Sequence, residues 1–417
     1  MKQDEIEYDL IVIGGGPAGM MCAGRAASRG AKVLLLEKNS SLGVKLALTG
    51  GGRCNLTNAI EDVREFVSRY GKGGKALFPA FSRFGPEEAV NFFNERGLQT
   101  KIEAEGRVFP VSNDARDVIR ALGEYMREGG VKVVLNAAVE KVSVYDNYVR
   151  VVSAAGEFRA RSVAIATGGL AYPETGSTGD GFAWLAKLGH AVAAPDASLV
   201  PVRVAEPWVA ELAGLSFPNI RATVLGKKEK IASKTGKILF THFGLSGPLI
   251  LNMSRTIGDA LKKGETFISL DLFPKKNSIE LKAEILRIFG ANQNKKIKNV
   301  AGLFLPPKIA DVALALLAID PEKFVNLVNR AERLRLAEFA KDMRFSASGL
   351  MGLDKAVVSS GGVDPAEVDF RTMRSKLHPN LYVLGDALNF NRPSGGFSLQ
   401  ICWTTGYLAG EALRIGK

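Results

Sequence analysis

Gly14, Gly16, Gly19 and Glu37 are the first residues in this sequence whose types and spacing imply chemistry. The glycines stand in Gly14-Gly15-Gly16-Pro17-Ala18-Gly19, a G-x-G-x-x-G, and the acid ends the apolar run Lys32-Val33-Leu34-Leu35-Leu36-Glu37. In such an arrangement Gly14 makes a tight turn, Gly16 lets backbone approach a pyrophosphate, and Gly19 lets helix and strand pack closely. A diphosphate then rests on free N–H groups at a helix N-terminus, where the helix dipole favours negative charge. Glu37 falls where an acid accepts hydrogen bonds from a ribose 2′- and 3′-hydroxyl. It argues against a 2′-phosphate, so FAD or NAD is favoured over NADP. This chemistry requires the glycines to follow a strand and open a helix. Asp9-Leu10-Ile11-Val12-Ile13 is an apolar run of strand length, and residues Met20 to Arg29 read as helix, ended by Gly30. The bland alternative is a glycine-rich turn without a ligand; strand, helix, second strand and terminal acid in register favour the dinucleotide.

The rest of the chain must supply the elements around this unit. At 417 residues it is long for one core and suggests two or three domains. Hydrophobic residues at 46% and charged ones at 24% describe an ordinary globular protein. No apolar run approaches the roughly 18 residues that span a bilayer; the richest, Ile309 to Ile319, contains Asp311 and reads as a buried helix. The start, Met1-Lys2-Gln3-Asp4-Glu5, is polar and fits no signal peptide. Cys22, Cys54 and Cys402 are odd in number and widely spaced, which argues against disulfides or a zinc site and suits the reducing cytoplasm. Cys22 and Cys402 read as small core residues, whereas Cys54 sits in a glycine-rich loop. Net charge is 55 − 43 = +12. The densest basic segments, Lys227-Lys228-Glu229-Lys230 and Lys295-Lys296-Ile297-Lys298, lack interleaved aromatics and read as solvated turns, so nucleic-acid binding is set aside in favour of anionic small molecules.

Along the chain, Pro86–Arg96 and Asp114–Glu128 read as helices. Val131–Val134, Ala138–Val144 and Tyr148–Ser153 read as strands, with Asp146-Asn147 as a hairpin turn. Ser162-Val163-Ala164-Ile165-Ala166 is a buried strand running into Thr167-Gly168-Gly169. From about Ala191 short β-rich pieces appear: Leu199–Val204, Ile220–Leu225, Lys237–Phe240 and Thr266–Asp271. From Ser278 to about Phe345 the pattern is helical, with Leu281, Ile285, Leu286 and Ile288 marking one apolar face and Phe324, Val325, Leu327 and Val328 another. The expected organisation is α/β: a split Rossmann-like domain in residues 1–190 and 346–417, interrupted by a β-rich insertion at 191–277 and a helical insertion at 278–345. The last part returns partly through the β insertion. In it Leu381-Tyr382-Val383-Leu384 is a strand ending in Gly385-Asp386, and Gly395-Gly396-Phe397-Ser398 opens a final helix.

Three ordered signals favour FAD over NAD. Ala166-Thr167-Gly168-Gly169 looks like the strand-end turn of two-dinucleotide-binding flavoproteins. Thr178-Gly179-Asp180-Gly181 resembles the G-D-G of fumarate reductase and succinate dehydrogenase flavoproteins, and Gly385-Asp386 resembles the late G-D whose acid holds a ribitol hydroxyl. Longer stretches narrow the resemblance: T-G-G-G-R-C-N-L-T-N at 49–58, G-R-V-F-P at 106–110 and A-T-G-G-L-A-Y-P-E-T-G-S-T-G-D-G at 166–181. T-H-F-G-L-S-G-P at 241–248 and S-S-G-G-V-D at 359–364 agree. Over essentially its whole length the chain resembles the YhiN/BaiN-type family of bacterial FAD-dependent flavoproteins, NAD(P)/FAD-dependent oxidoreductases.

The resemblance implies a split FAD-binding domain with a β-barrel-like and a helical insertion, and a set of contacts to non-covalent FAD. Gly14, Gly16, Pro17, Ala18, Gly19, Glu37 and Lys38 would serve the nucleotide end. Gly52, Arg53, Cys54 and Asn55 would lie along the pyrophosphate or flavin, and backbone near Val139 would meet the adenine. Thr167, Gly168, Gly169 and Asp180 would close the site. Gly385 and Asp386 would reach the ribitol, and Gly396, Phe397, Ser398 and Leu399 would turn N–H groups to the flavin carbonyl edge, where a helix dipole stabilises a reduced anionic ring. Residues 385–396 depart from the family pattern, because Arg392 stands where many members are acidic.

A flavin carries the redox chemistry while protein groups position and protonate. Cys54 is a candidate thiol or acid/base group, or else a small residue filling a pocket beneath the cofactor. His242 is the general-acid candidate by type, or a packed, hydrogen-bonded side chain. Tyr172 is a possible proton donor. Arg392 is an anion anchor beside the flavin or a surface arginine on a loop, with no evident cofactor duty. His190 and His378 read as structural. No second G-x-G-x-x-G lies on a strand–helix junction, so NAD(P)H is expected to bind transiently at the flavin face. The expected activity is NAD(P)H-linked reduction of a small organic substrate, a conjugated C=C or a carbonyl. The alternatives are an O2-using amine or aminoketone oxidase and, from another class, a flavin-dependent RNA-modifying or RNA-binding protein.

Overall fold

The computed structural model describes residues 6–194, 197–227, 229–352, 358–359 and 361–415. The acidic start Met1–Glu5 and single positions of two motifs, Lys228 and Ser360, lie outside the described residues. The chain forms two compact units, residues 1–197 with 356–417 and residues 198–355.

The first unit is built on a nine-stranded sheet. Its parallel part runs in the order Lys132–Val134, Val33–Leu36, Tyr8–Ile13, Gly156–Ile165, Leu381–Val383. The central Tyr8–Ile13 strand is buried nearly throughout, as expected of a parallel strand covered on both faces. Val139–Val144 and Val149–Ser153 form the expected hairpin, closed by Tyr145 N donating to Tyr148 O across Asp146-Asn147. They lead antiparallel into the long Gly156–Ile165 strand, whose far end pairs with Tyr8–Ile13. A small sheet of Thr57–Asn58, Arg107–Pro110 and Thr100–Glu103 lies beside the glycine loop.

Two helices pack closely here, Pro17–Ser28 and the terminal Phe397–Ala412. A Cβ on Gly406 would come within 2.4 Å of Ala18 O, and one on Gly410 within 2.7 Å of Cys22 O. One turn apart, the two glycines let the backbones approach, and Cys22 and Cys402 are buried as core residues. His190 is buried too: its Nδ1 lies 2.7 Å from Glu367 Oε2 and its Nε2 lies 3.0 Å from Ser375 Oγ. His378 Nε2 lies 2.8 Å from Leu188 O, so both histidines are held by structural partners.

The second unit is a closed antiparallel barrel in the order Val202–Val204, Gly244–Ser246, Lys230–Thr241, Ser216–Leu225, Phe267–Asp271, Met343–Leu350. Alternate residues such as Ile220, Ala222, Val224, Ile268 and Leu270 fill its interior. The helices Ser278–Gly290, Pro307–Leu316 and Arg330–Lys341 share one hydrophobic core with these strands. Two details differ from the helical pattern read in the sequence. On the first helix Leu281, Ile285 and Phe289 form the buried stripe, while Leu286 is exposed. Around Val325–Leu327 the chain is a 3₁₀ turn, whose period of three buries Val325 and Val328 and leaves Phe324 and Leu327 outside. The last stretch read as helical ends earlier, at Lys341, because Met343–Leu350 is the strand that closes the barrel.

Candidate cofactor and active site

The glycine motif of the first unit links the Tyr8–Ile13 strand to the Pro17–Ser28 helix. A Cβ on Gly14 would lie 2.5 Å from Ala166 O, and one on Gly19 would lie 1.9 Å from Gly14 O, so both are needed for backbone approach within the protein. A Cβ on Gly16 would meet no protein atom within 4 Å; that side is open. Pro17 starts the helix without an N–H to leave unsatisfied, and Met20 N donates the first helical bond to Gly16 O. Glu37 is 7% exposed. Its Oε2 accepts from Gly15 N at 2.6 Å and its Oε1 from Asn39 N at 2.8 Å, which leaves each oxygen a lone pair for a hydroxyl. Ala137 N donates to Glu37 O, which brings the strand beginning at Val139 alongside the acid.

The loop at 49–58 meets the start of the terminal helix, where a Cβ on Gly396 would lie 2.3 Å from Thr57 O. Cys54 has a left-handed φ of 59° and is fully buried, with its N–H donating to Thr49 O. Burial pushes its thiol up to about 12, so it stays protonated and uncharged at neutral pH. Arg53 is turned to protein partners: its guanidinium lies 3.9 Å over the Phe109 ring, with Nη2 2.6 Å from Glu103 Oε1 and Nε 3.2 Å from Asn113 Oδ1. In the amide orientation that satisfies both its ends, Asn55 donates to Thr57 O and Val108 O, and accepts from Gly396 N at 3.0 Å. That contact ties the glycine loop to the start of the terminal helix. Tyr70 OH adds a second tie, donating to Phe397 O at 2.8 Å. Gly396 has φ 97° and no side-chain cap, and Gln400 N is the first to bond back to Gly396 O. The N–H groups of Phe397, Ser398 and Leu399 precede any intrahelical bond.

On the other side, Gly156–Ile165 delivers Thr167, Gly168 and Gly169. Thr167 Oγ1 is buried without a hydrogen-bond partner among the described residues. Lys38 Nζ lies 2.7 Å from Asp180 Oδ2 and donates to Thr178 Oγ1. Burial pushes the Asp180 carboxyl up, but its hydrogen bonds from Lys38 and Thr178 outweigh that and hold it below the usual value. Gly385 sits against Ala18 and Cys402. Asp386, next to it, has Arg392 Nη1 3.0 Å from Oδ1 and Lys45 Nζ 3.4 Å from Oδ2.

The structure thus brings together the glycine motif, Glu37, Lys38, Asn55, Asp180, Asp386 and the terminal helix start. Among the catalytic candidates, Tyr172 is half-buried with a left-handed φ of 54°, its carbonyl accepting from Thr175 N and Oγ1. His242 belongs to the barrel unit, exposed in the turn between Lys230–Thr241 and Gly244–Ser246, its ring edge-on to Phe243. Arg392 is not on an exposed loop surface: its side chain is 0% exposed and engaged by Asp386. Lys45 escaped the sequence reading, since no spacing rule ties it to an acid hundreds of positions away. The open face at Gly16, the paired lone pairs of Glu37, the orphan Thr167 hydroxyl and the uncapped helix start fit a dinucleotide.

The model of the HI0933-like protein Rossmann domain matches residues 8–412. The chain belongs to this family. Its motifs' resemblance to the YhiN/BaiN-type flavoproteins therefore holds, and it is an FAD-dependent oxidoreductase. Among curated relatives, a 3-dehydro-bile acid delta(4,6)-reductase of Clostridium scindens is 30% identical, over 96% of this chain and 98% of its own. A ribosomal RNA dihydrouridine synthase of Escherichia coli is 27% identical, over 98% of this chain and 99% of its own. Among solved structures, a 3-ketosteroid-delta4-(5alpha)-dehydrogenase from Rhodococcus jostii has a TM-score of 0.55 at 16% identity, covering 99% of this chain and 98% of that one. The open conformation of a flavocytochrome c3 fumarate reductase has 0.54 at 16%, covering 99% and 78%. These two establish the fold of this family member. No helix among the described residues is long and apolar enough to cross a membrane, and no group of potential metal ligands occurs among them.

Proposed function

We propose that this protein uses non-covalent FAD to reduce a C=C bond conjugated with a carbonyl, with NAD(P)H as a transient reductant. The observation that carries the reaction class is a chemical element common to two relatives of different name. Uridine becomes dihydrouridine by saturation of a ring C=C conjugated with a carbonyl, and a Δ4,6-reductase acting on a 3-dehydro bile acid saturates the same kind of bond. Bound FAD would supply hydride chemistry that no side chain provides. The chain's own residues hold and orient it: Gly16 and the Pro17–Ser28 helix start receive diphosphate, Glu37 the ribose, Asp386 the ribitol. The N–H groups of Phe397, Ser398 and Leu399 direct positive potential at negative charge on a ring carbonyl edge. Cys54, buried and protonated, is left to packing. Tyr172 Oη is the proton donor proposed within the same unit, and His242 the one proposed from the barrel.

The favoured substrate is a small enone. A second reading, RNA, is favoured by the net charge of +12 together with the dihydrouridine synthase relatives. Anaerobic mixing with NADH or NADPH should bleach the flavin absorbance. The reduced protein is then offered a 3-oxo-4-ene steroid, cyclohexenone or unmodified ribosomal RNA fragments at several salt concentrations. Reoxidation by enones alone supports the small-molecule reading, and reoxidation by RNA that weakens with salt supports the second. If neither nucleotide bleaches the flavin, while an amine bleaches it anaerobically and O2 then restores its absorbance, an oxidase replaces both readings.

A further inference from the structure

Asp386 and Arg392 come from either end of one loop, and Lys45 from a distant one, yet all three meet in the interior of the first unit. Arg392 Nη1 lies 3.0 Å from Asp386 Oδ1 and 3.5 Å from Gly385 O, while Lys45 Nζ lies 3.4 Å from Asp386 Oδ2. Each carboxylate oxygen therefore has its own cation, and the plane of the group is set from both sides. One lone pair per oxygen is left for a ligand hydroxyl. The anchors are themselves placed. Lys45 follows Gly43, whose N–H donates to Gly15 O, and Arg392 precedes Gly396, whose N–H donates to Asn55. A surface arginine, or one waiting for a substrate carboxylate, would not have a side chain that is 0% exposed and already paired.

We propose that Arg392 is a positioning residue for the cofactor: it acts through Asp386, holding that carboxylate ionised and oriented toward a polyol hydroxyl, with Lys45 as the second clamp. The inference rests on the FAD reading above. Burial alone pushes the Asp386 carboxyl up, and the charges of Arg392 and Lys45 outweigh it and bring it below the usual value. The other titratable groups coupled to this cluster are the thiol of Cys402 and the phenol of Tyr70, both pushed up by burial and neutral across the physiological range. Removing Arg392 leaves one cation against the same burial. Asp386 then takes up a proton at a higher pH than in the intact protein, and the hold on the hydroxyl acquires a pH dependence it did not have.

The test uses the holoprotein, dialysed to equilibrium between about pH 6 and pH 9, with FAD retention read by absorbance and fold by circular dichroism. The intact protein should show a flat profile. Arg392→Met should bind FAD about tenfold more weakly near pH 6 and recover part of the loss near pH 9. Arg392→Lys keeps the charge without the fork, so its profile should be flat with a loss of about threefold. Adding Arg392→Met to Asp386→Asn should cost less than about twofold beyond Asp386→Asn alone, because the residue acts through the acid. A folded Arg392→Met protein with the intact protein's affinity at every pH overturns the proposal. So does an Asp386→Asn/Arg392→Met pair whose losses simply add, and this pair and Arg392→Lys decide the matter if Arg392→Met does not fold. An intact protein that binds no FAD overturns the cofactor reading itself, which is a separate result.

Discussion

The dinucleotide unit and the barrel unit solve their packing differently. Around the cofactor loops the constraint is on backbone: a Cβ on Gly14, Gly19 or Gly396 would come within 2.5 Å or less of backbone atoms. In the barrel unit most of the constraint is on side chains. Gly264, Gly290, Gly302 and Gly349 face open space, and Gly244, crowded by Val202 O at a strand junction, is an exception. Stability there comes from shape-matched apolar residues such as Phe240, Phe345 and Met343, all 0% exposed. One unit spends its sequence on where backbone may go, the other on what fills an interior. Mutations should therefore separate cofactor binding from stability in the first unit and affect mainly stability in the second.

The largest expected effect lies in the barrel. Phe345→Ala empties a site where its ring lies 4.8 Å from Trp208 and 6.1 Å from Phe240, and should cost about 3–5 kcal/mol by urea denaturation. FAD affinity of the folded fraction should stay within about twofold; a large loss would break the proposed separation. Next comes Gly396→Ala, at φ 97° with a Cβ 2.3 Å from Thr57 O. Strain and overpacking together predict about 2–3 kcal/mol, this time with loss of flavin. Gly16→Ala sharpens the contrast. Its methyl meets no protein atom within 4 Å, so the melting temperature should hold while FAD affinity falls at least about tenfold, or about 1.4 kcal/mol. Equal losses in both measurements would mean that Gly16 is a packing residue like Gly19. The smallest effect is a cap in the second unit. Asn329 accepts from Glu332 N and Glu332 Oε2 accepts from Asn329 N, so Asn329→Ala should cost about 1 kcal/mol without touching flavin content.

Glu332 adds a pH test of the same cap. Burial pushes its carboxyl up, but Lys323 and the Asn329 N–H outweigh that and hold it below the ordinary carboxylate value. A depressed carboxyl stabilises fully above its unfolded value of about 4.3, and the contribution is lost as pH falls through the lower folded value. Glu332→Gln should therefore flatten the stability profile below about pH 4 and leave the slope near neutrality unchanged.

The contrast between the units also explains what was legible in the sequence. Residues under backbone constraint announce themselves locally. The close backbone packing of Gly14 and Gly19 follows from their spacing alone, and the hairpin at Asp146-Asn147 from its turn chemistry. Side chains that meet across long separations leave no such mark. Nothing adjacent to Arg392 shows that it folds inward onto Asp386, or that Lys45 joins it. The contacts of Arg53 with Glu103 and Phe109 likewise arise through the small sheet, whose two-residue strand Thr57–Asn58 is too short to carry a periodic signal. In the barrel unit, period alone distinguished strands from helices. It failed at Met343–Leu350, where Phe345 was grouped with the helix before it, and at Val325–Leu327, where a three-residue turn has a different period from a helix.

That closing strand has a consequence for how the protein is made. Met343–Leu350 pairs with Val202–Val204 on one side and Phe267–Asp271 on the other, and a ribosome reaches it only after the helices of residues 278–341. Until then the five earlier strands form an open sheet with two free edges, each presenting unpaired N–H and C=O groups to any neighbouring chain. The intervening helices share a core with that sheet and can cover its apolar face while synthesis continues. A chain cut short just before Met343 would thus keep most of the interior but lose closure, and should be prone to strand pairing between copies.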